Sequence, residues 1–199
     1  MILDEVATGF GRTGKMFACQ HEEISPDIMV LGKGMTGGYL PLSATITTQK
    51  VYDAFLGDYE EFKTFFHGHS YAGNPVACAA SLGNLEVFKK HKTLERMQEK
   101  IECFEQELKE FEGLKHVGNV RNKGLMAGIE LVEEKETKKP YEVSRKMGWK
   151  VAEKAMGNEV LIRPLGNVVV LMPPVGIPIG DLRKLMKVTY EAIKEATES

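Results

Sequence analysis

The sequence predicts an α/β protein, with part of an α/β sandwich over residues 1–74, a connecting helix over 75–93 and a small α+β domain over 94–199. Three features predict it. Two short apolar runs, Met1 to Val6 and Asp27 to Leu31, flank a glycine-rich stretch in the manner of neighbouring buried strands. From Leu94 to Phe111 apolar residues recur at alternating spacings of three and four, the period of an amphipathic helix. Beyond that point strand-like and helix-like segments alternate to the carboxy end.

Met1 to Val6 reads as a strand leading into GFGRTGK, and DIMVL reads as a second strand ending at Gly32-Lys33-Gly34. LPLSATITT continues with β-branched residues, and Gln49 to Leu56 reads as helical. A polar and aromatic loop, YEEFKTFFHGHSYAGNP, follows. Pro75 to Phe88 is alanine-rich and apolar on most sides, which predicts a buried helix with Pro75 in its first turn. Leu94, Met97, Ile101, Phe104, Leu108 and Phe111 mark the inner face of the next helix. A strand pair is expected around Gly118 to Val132, then a charged turn, EEKETKKP. The helix after it would bury Met147, Val151, Ala152, Ala155 and Met156, and its Trp149 reads as a core residue. Short strands flank Arg163 and Val168 to Met172, and Leu182, Leu185, Met186, Ile193 and Ala196 mark a closing helix. An apolar run at the very start, with no polar lead-in, predicts a chain that begins mid-fold.

Composition excludes several classes. With 43% hydrophobic residues, 27% charged residues and a formal charge of −2, the chain has neither the basic field of a nucleic-acid binder nor the bias of a disordered segment. No run approaches the ~20 apolar residues of a membrane span, and no secretory signal opens the chain, so a cytoplasmic location is expected. Cys19, Cys78 and Cys103 are odd in number and widely spaced, which argues against a disulfide framework or a zinc site. His67 and His69 lack nearby acids or cysteines and read as loop packing groups rather than metal ligands.

Gly9-Phe10-Gly11-Arg12-Thr13-Gly14 matches the dinucleotide fingerprint G-x-G-x-x-G. A true fingerprint opens a crossover helix and is answered by an acid about 20 residues on; KMFACQHEEISPD is short, contains Pro26, and the next strand ends in Lys33. Asp4 is more informative, since an acid inside an apolar strand is costly to bury without a cationic partner. Lys33 ends an apolar strand between two glycines that would let a planar ligand approach the backbone. A strand-end acid, a strand-end lysine and a glycine turn between them suit pyridoxal chemistry, which needs an amine to bind the cofactor and a carboxylate to keep its ring nitrogen protonated. An ordinary lysine, with a pKa of about 10.4, must be desolvated or placed near positive charge to react at neutral pH.

The strings DEVATGFGRTGKMFACQHE, PDIMVLGKGMTGGYLPLSAT and FHGHSYAGNPVACAAS resemble consecutive signatures of the class III pyridoxal-phosphate-dependent aminotransferases, and the likeness runs over nearly the whole chain. GGYLPLSATITT, VYDAFLGDYEEFKTFFHGHSYAGNP and LIRPLGNVVVLMPP look most like the members that serve biotin synthesis. The resemblance implies the type I pyridoxal-phosphate transferase fold, here a partial large domain plus the small carboxy-terminal domain. It implies pyridoxal 5'-phosphate as cofactor, a small-molecule amino donor and keto acceptor, and a homodimer in full-length members.

Residue by residue, the resemblance makes Asp4 the partner of the ring nitrogen and Lys33 the Schiff-base lysine and proton carrier. Ser70 matches a hydroxyl residue, usually threonine, that reaches across the dimer to the cofactor phosphate; taken alone, it reads as a cap for the turn before Pro75. Arg163 matches the arginine that binds the substrate carboxylate, with structural pairing inside the small domain as the alternative. Arg12 matches an arginine at the active-site entrance, or is a solvated turn residue. The aromatic that often follows the substrate arginine by seven residues is Val170 here. Full-length members are about twice as long, and their other half supplies the main phosphate-binding turn and the aromatic stacked on the ring. Another class III ω-aminotransferase, or a non-catalytic fragment that needs its amino-terminal half, are the competing expectations.

Overall fold

Strand β1 (Ile2–Asp4) forms from the first apolar run and pairs in parallel with β2 (Ile28–Leu31), in the register Ile2 with Ile28, Leu3 with Met29 and Asp4 with Val30. Strand β3 (Ala44–Thr47), rich in β-branched residues, adds antiparallel to β2, giving the order β1-β2-β3. These coordinates are a computed structural model that describes residues 1–198. Parallel strands are usually joined by a crossover helix; residues 5–27 instead make turns and one 3₁₀ turn, Ala18–His21, so no dinucleotide-type helix follows the glycines.

The chain divides into two compact units, one over Met1–Glu95 and the other from Arg96 onward. In the first, the short helix α1 (Gln49–Asp53) follows β3, and the loop after it is exposed throughout. Helix α2 (Pro75–Lys90) starts where Pro75 predicts, with Asn74 as its cap: the Asn74 side chain accepts from the Ala77 amide at 3.0 Å. Its expected burial is corrected. Only Ala77 and Ser81 are buried, and Val76, Leu82, Leu85 and Val87 are exposed, because within this unit α2 packs chiefly against the 3₁₀ turn at Lys33–Thr36.

The second unit holds an antiparallel sheet. Helix α3 (Thr93–Phe111) buries Met97, Ile101, Phe104, Leu108 and Phe111, the face its spacing predicts. Strands β4 (Val117–Lys123) and β5 (Met126–Glu134) form a hairpin, and β6 (Lys139–Pro140) pairs with the far end of β5. Helix α4 (Met147–Gly157) buries Met147, Val151, Ala152 and Ala155. Trp149 and Met156 do not join that face: they are 53% and 59% exposed, Trp149 on the outer side and Met156 in the last turn. Strands β7 (Arg163–Leu165) and β8 (Val168–Leu171) complete the order β4-β5-β8-β7, and α5 (Ile179–Glu198) packs on α4. Phe111 of α3 meets Tyr190 of α5 edge-on, with ring centres 5.5 Å apart. An antiparallel sheet with its helices beside it in sequence is the α+β arrangement the segment order predicts. Among the described residues no helix is long and apolar enough to cross a membrane.

Candidate active site

Asp4 is the last residue of β1 and lies opposite Val30 of β2; Lys33 comes two residues after β2 ends and opens the 3₁₀ turn Lys33–Thr36. Both therefore leave the carboxyl ends of adjacent parallel strands, which stand about 4.8 Å apart in any sheet. Open α/β sheets bind their ligands at this edge.

Asp4 departs from its sequence expectation. It is exposed rather than buried, has no cationic partner among the described residues, and accepts a hydrogen bond from the Val6 amide at 2.9 Å. The buried acid is the next residue. Glu5 is 2% exposed and accepts from the Thr8 hydroxyl, from the Ala18 amide at 3.0 Å and from the Cys19 amide at 2.8 Å. Burial alone pushes its carboxyl upward, but these donors favour the ionised form more strongly and hold it below the usual carboxylate range. A carboxylate with three donors needs no cation, so Glu5 ties the loop between β1 and β2 to the strand end that presents Asp4. Burial, and after it the Glu5 charge, pushes the Cys19 thiol up, which makes it a poor nucleophile.

Lys33 is exposed and left-handed, with φ +42°. Its turn is closed by Met35 N donating to Gly32 O at 2.9 Å and Gly37 N to Gly34 O at 3.1 Å. From α2, Asn84 Nδ2 donates to Gly34 O at 2.9 Å and Met35 O at 3.3 Å. The glycine after the lysine has a different use from the one its sequence suggests: a β-carbon on Gly34 would lie 2.9 Å from the Phe10 β-carbon, so the space beside it is already filled.

Arg12 is half-buried in the glycine-rich loop, and burial pushes its guanidinium down from the ordinary arginine value. It is thus not the freely solvated turn residue of the alternative reading. His21 Nε2 binds both the carbonyl and the hydroxyl of the buried Thr13, at 3.1 and 3.2 Å, and anchors the loop beside Arg12. Ser70 is exposed and its hydroxyl makes no hydrogen bond among the described residues; the capping role belongs to Asn74. Just before Ser70 the rings of Phe65, His67 and His69 stack in succession at 5.7 and 6.5 Å, and just after it Tyr71 N donates to His69 Nδ1 at 3.2 Å.

Arg163, in the second unit, is exposed on β7 and has no acidic partner among the described residues, so it does not make the structural ion pair that was its alternative. It stands directly opposite Val170 on β8. The seven-residue spacing is therefore a cross-strand pair, whose side chains share one face of the sheet. Three supporting residues escaped the sequence reading: Glu5, Phe10 and Asn84. Asn84 carried a signal, being a poor helix former inside an alanine-rich helix.

The fold and the sequence together define a class. The aminotransferase class-III family profile matches residues 1–193, and the chain belongs to that family. It is similar to the adenosylmethionine-8-amino-7-oxononanoate aminotransferase of Methanocaldococcus jannaschii, 53% identical over 199 residues, covering 98% of this chain and 43% of that protein. It is likewise similar to the protein of the same name from Aquifex aeolicus, 54% identical over 195 residues, covering 98% of this chain and 43% of that protein. The crystal structure of the Methanocaldococcus jannaschii enzyme superposes with a TM-score of 0.95 at 52% identity, over 98% of this chain and 45% of that one. A PMP-bound aminotransferase from Vibrio fluvialis superposes with a TM-score of 0.92 at 28% identity, over 100% of this chain and 44% of that one. The chain thus spans about 43% of the length of the curated relatives it matches.

Proposed function

We propose that this chain carries the cofactor lysine of a pyridoxal-phosphate-dependent aminotransferase, and that the protein transfers an amino group to 8-amino-7-oxononanoate to give 7,8-diaminononanoate, with adenosylmethionine or lysine as donor. The observation that carries the reading is the placement of Asp4 and Lys33 at the carboxyl ends of adjacent parallel strands in a class III chain. The substrate rests on relatives of that name at 53% and 54% identity. A cytoplasmic location belongs to the same reading.

The donor set fits the cofactor. Asp4 offers an accessible carboxylate to a protonated ring nitrogen, and Lys33 an accessible primary amine on a backbone fixed by hydrogen bonds. When bound, pyridoxal phosphate supplies an electron sink for the substrate carbon. The residues do the rest: Lys33 Nζ carries the cofactor and moves the proton at the reacting carbon, and Asp4 keeps the ring nitrogen protonated. Arg163 binds the substrate carboxylate, Arg12 lines the entrance, and Ser70 offers its hydroxyl to the cofactor phosphate of a second copy. The uncommitted Ser70 hydroxyl and the exposed aromatic ladder beside it support a homodimer.

The test is complementation of a biotin-requiring strain that lacks this amination step, using the gene that encodes this chain together with all coding sequence continuous with it. Growth without biotin, lost on Lys33→Ala, is the expected result. Failure to restore growth by a protein that still transfers amino groups between other substrates would assign it to a different class III ω-aminotransferase; Val170 in place of the usual aromatic weakens the exact substrate assignment and is the departure that keeps this second reading.

A further inference from the structure

The left-handed backbone region is rarely occupied by a bulky side chain, and such residues persist only where their surroundings hold them. Two of them meet at this site. Phe10, with φ +54°, lies in the loop after β1, and Lys33, with φ +42°, opens the turn after β2. Their meeting point is Gly34, where an added β-carbon would lie 2.9 Å from Cβ, 3.4 Å from Cγ and 3.5 Å from Cδ2 of Phe10. Real β-carbons essentially never approach another heavy atom more closely than 3.0 Å, so a side chain at position 34 would force the turn or the Phe10 loop to shift. The Asn84 hydrogen bonds to Gly34 and Met35 prevent the turn from drifting away from Phe10.

Phe10 is itself fixed from both ends of its loop. Before it, Gly9 N donates to Glu5 O at 2.9 Å, and the Gly9 backbone lies so close that a β-carbon there would stand 2.8 Å from the same oxygen. After it, the ring of Phe17 meets that of Phe10 edge-on at 5.8 Å, and the next two amides, of Ala18 and Cys19, end on the Glu5 carboxylate. Phe10 is only 5% exposed, in a unit that buries few large apolar groups. A mere filler of core space would not require a left-handed phenylalanine; one whose β-carbon must lie beside the Gly34 backbone does.

We propose that Phe10 is a positioning residue, held by the Glu5-anchored loop, whose β-carbon and ring occupy the space beside Gly34 and set the backbone from which the Lys33 side chain leaves. The proposal rests on Lys33 being the cofactor lysine, although the contact it describes is independent of that assignment.

The test is a substitution cycle in the full chain, comparing Gly34→Ala, Phe10→Gly, Phe10→Ala and the two double variants. Amide exchange over residues 32–37 reads the turn, and the NMR signal of the Lys33 ε-carbon reads where its side chain goes. Gly34→Ala is expected to speed exchange of the turn at least tenfold and to shift the Lys33 signal. Phe10→Gly removes the offending β-carbon, so the Phe10→Gly/Gly34→Ala double should match Phe10→Gly alone in both readings. Phe10→Ala retains that carbon and should not suppress the defect. Unchanged exchange in Gly34→Ala, or equal recovery in the two doubles, would overturn the proposal. If Gly34→Ala fails to fold, the far-ultraviolet dichroism of the doubles decides instead, with refolding by Phe10→Gly and not by Phe10→Ala expected, and any other pattern counting against it. Growth that survives Lys33→Ala in the complementation assay would sink the cofactor reading and leave the outcome of this cycle standing.

Discussion

Asp4 and Glu5 are the same functional group on consecutive residues, and the fold gives them opposite tasks: Asp4 is exposed at the strand end, and Glu5 is buried under three donors. Each hydrogen bond to a charged group contributes about 1.5–3 kcal/mol, offset by the cost of burying the charge. Glu5→Gln is therefore expected to destabilise the chain by about 1–3 kcal/mol at neutral pH. The pH dependence has a definite sign. Glu5 titrates lower in the folded than in the unfolded chain, so its contribution is fully present above the unfolded carboxyl pKa and is lost as pH falls through the folded one. Thermal melts of the native chain and Glu5→Gln should differ at neutral pH and converge in acid. Equal melting temperatures at neutral pH would remove Glu5 from the account.

At the scale of elements, α2 does more than connect. It is the wall on which the Lys33 turn hangs, through one side chain that donates to two carbonyls. Asn84→Ala replaces a poor helix former by the best one, a gain of several tenths of a kcal/mol, while leaving Gly34 O and Met35 O without their donor. The expected result is a helix that keeps its dichroism and a turn that exchanges its amides several-fold faster. If the turn keeps its protection in Asn84→Ala, then α2 is only its neighbour. The β7–β8 hairpin shows the same economy: pairing Arg163 with Val170 puts the arginine beside a small β-branched side chain, so little covers its guanidinium on that face.

Over the whole molecule, burial is unevenly shared. The largest fully buried side chains, among them Phe104, Phe111, Leu125 and Ile193, all lie in the second unit, whereas the buried apolar residues of the first are Phe10, Leu31 and Ala77. Heating or denaturant should therefore unfold the first unit before the second, read as earlier loss of amide protection in β1–β3 than in β4–β8. Phe104→Ala should cost about 3–5 kcal/mol and fall on the second transition alone. Tyr59, Phe62, Phe65, Phe66 and Tyr71, five large aromatic side chains within one loop, are 66–86% exposed, and clustered exposed apolar groups favour association. The 199-residue chain by itself is expected to self-associate, to bind pyridoxal phosphate weakly and to turn over little or no amino donor. Light scattering and absorbance titration check this together; a monodisperse monomer with a strong Lys33-dependent cofactor band would contradict it.

What the sequence by itself determined is local or periodic. The three-and-four spacing from Leu94 to Phe111 specifies both a helix and its inner face, because the 3.6-residue turn allows one apolar stripe. Pro75 marks a helix start because its missing amide costs nothing there. That an acid and a lysine would stand at two neighbouring strand ends was legible from residue type and order alone, and the proposed cofactor chemistry starts from that placement. The tertiary structure decided which surfaces meet. The residues of α2 are apolar on most sides, yet their burial depends on what packs against them, and in this unit that is mainly the Lys33 turn. Trp149 is apolar enough for a core, but the helical period turns it to the outer side of α4. The roles of Glu5, Phe10 and Asn84 rest on contacts between segments up to 50 residues apart. Such contacts leave no mark in local spacing, because they arise only when the sheet and the helix bring those segments together.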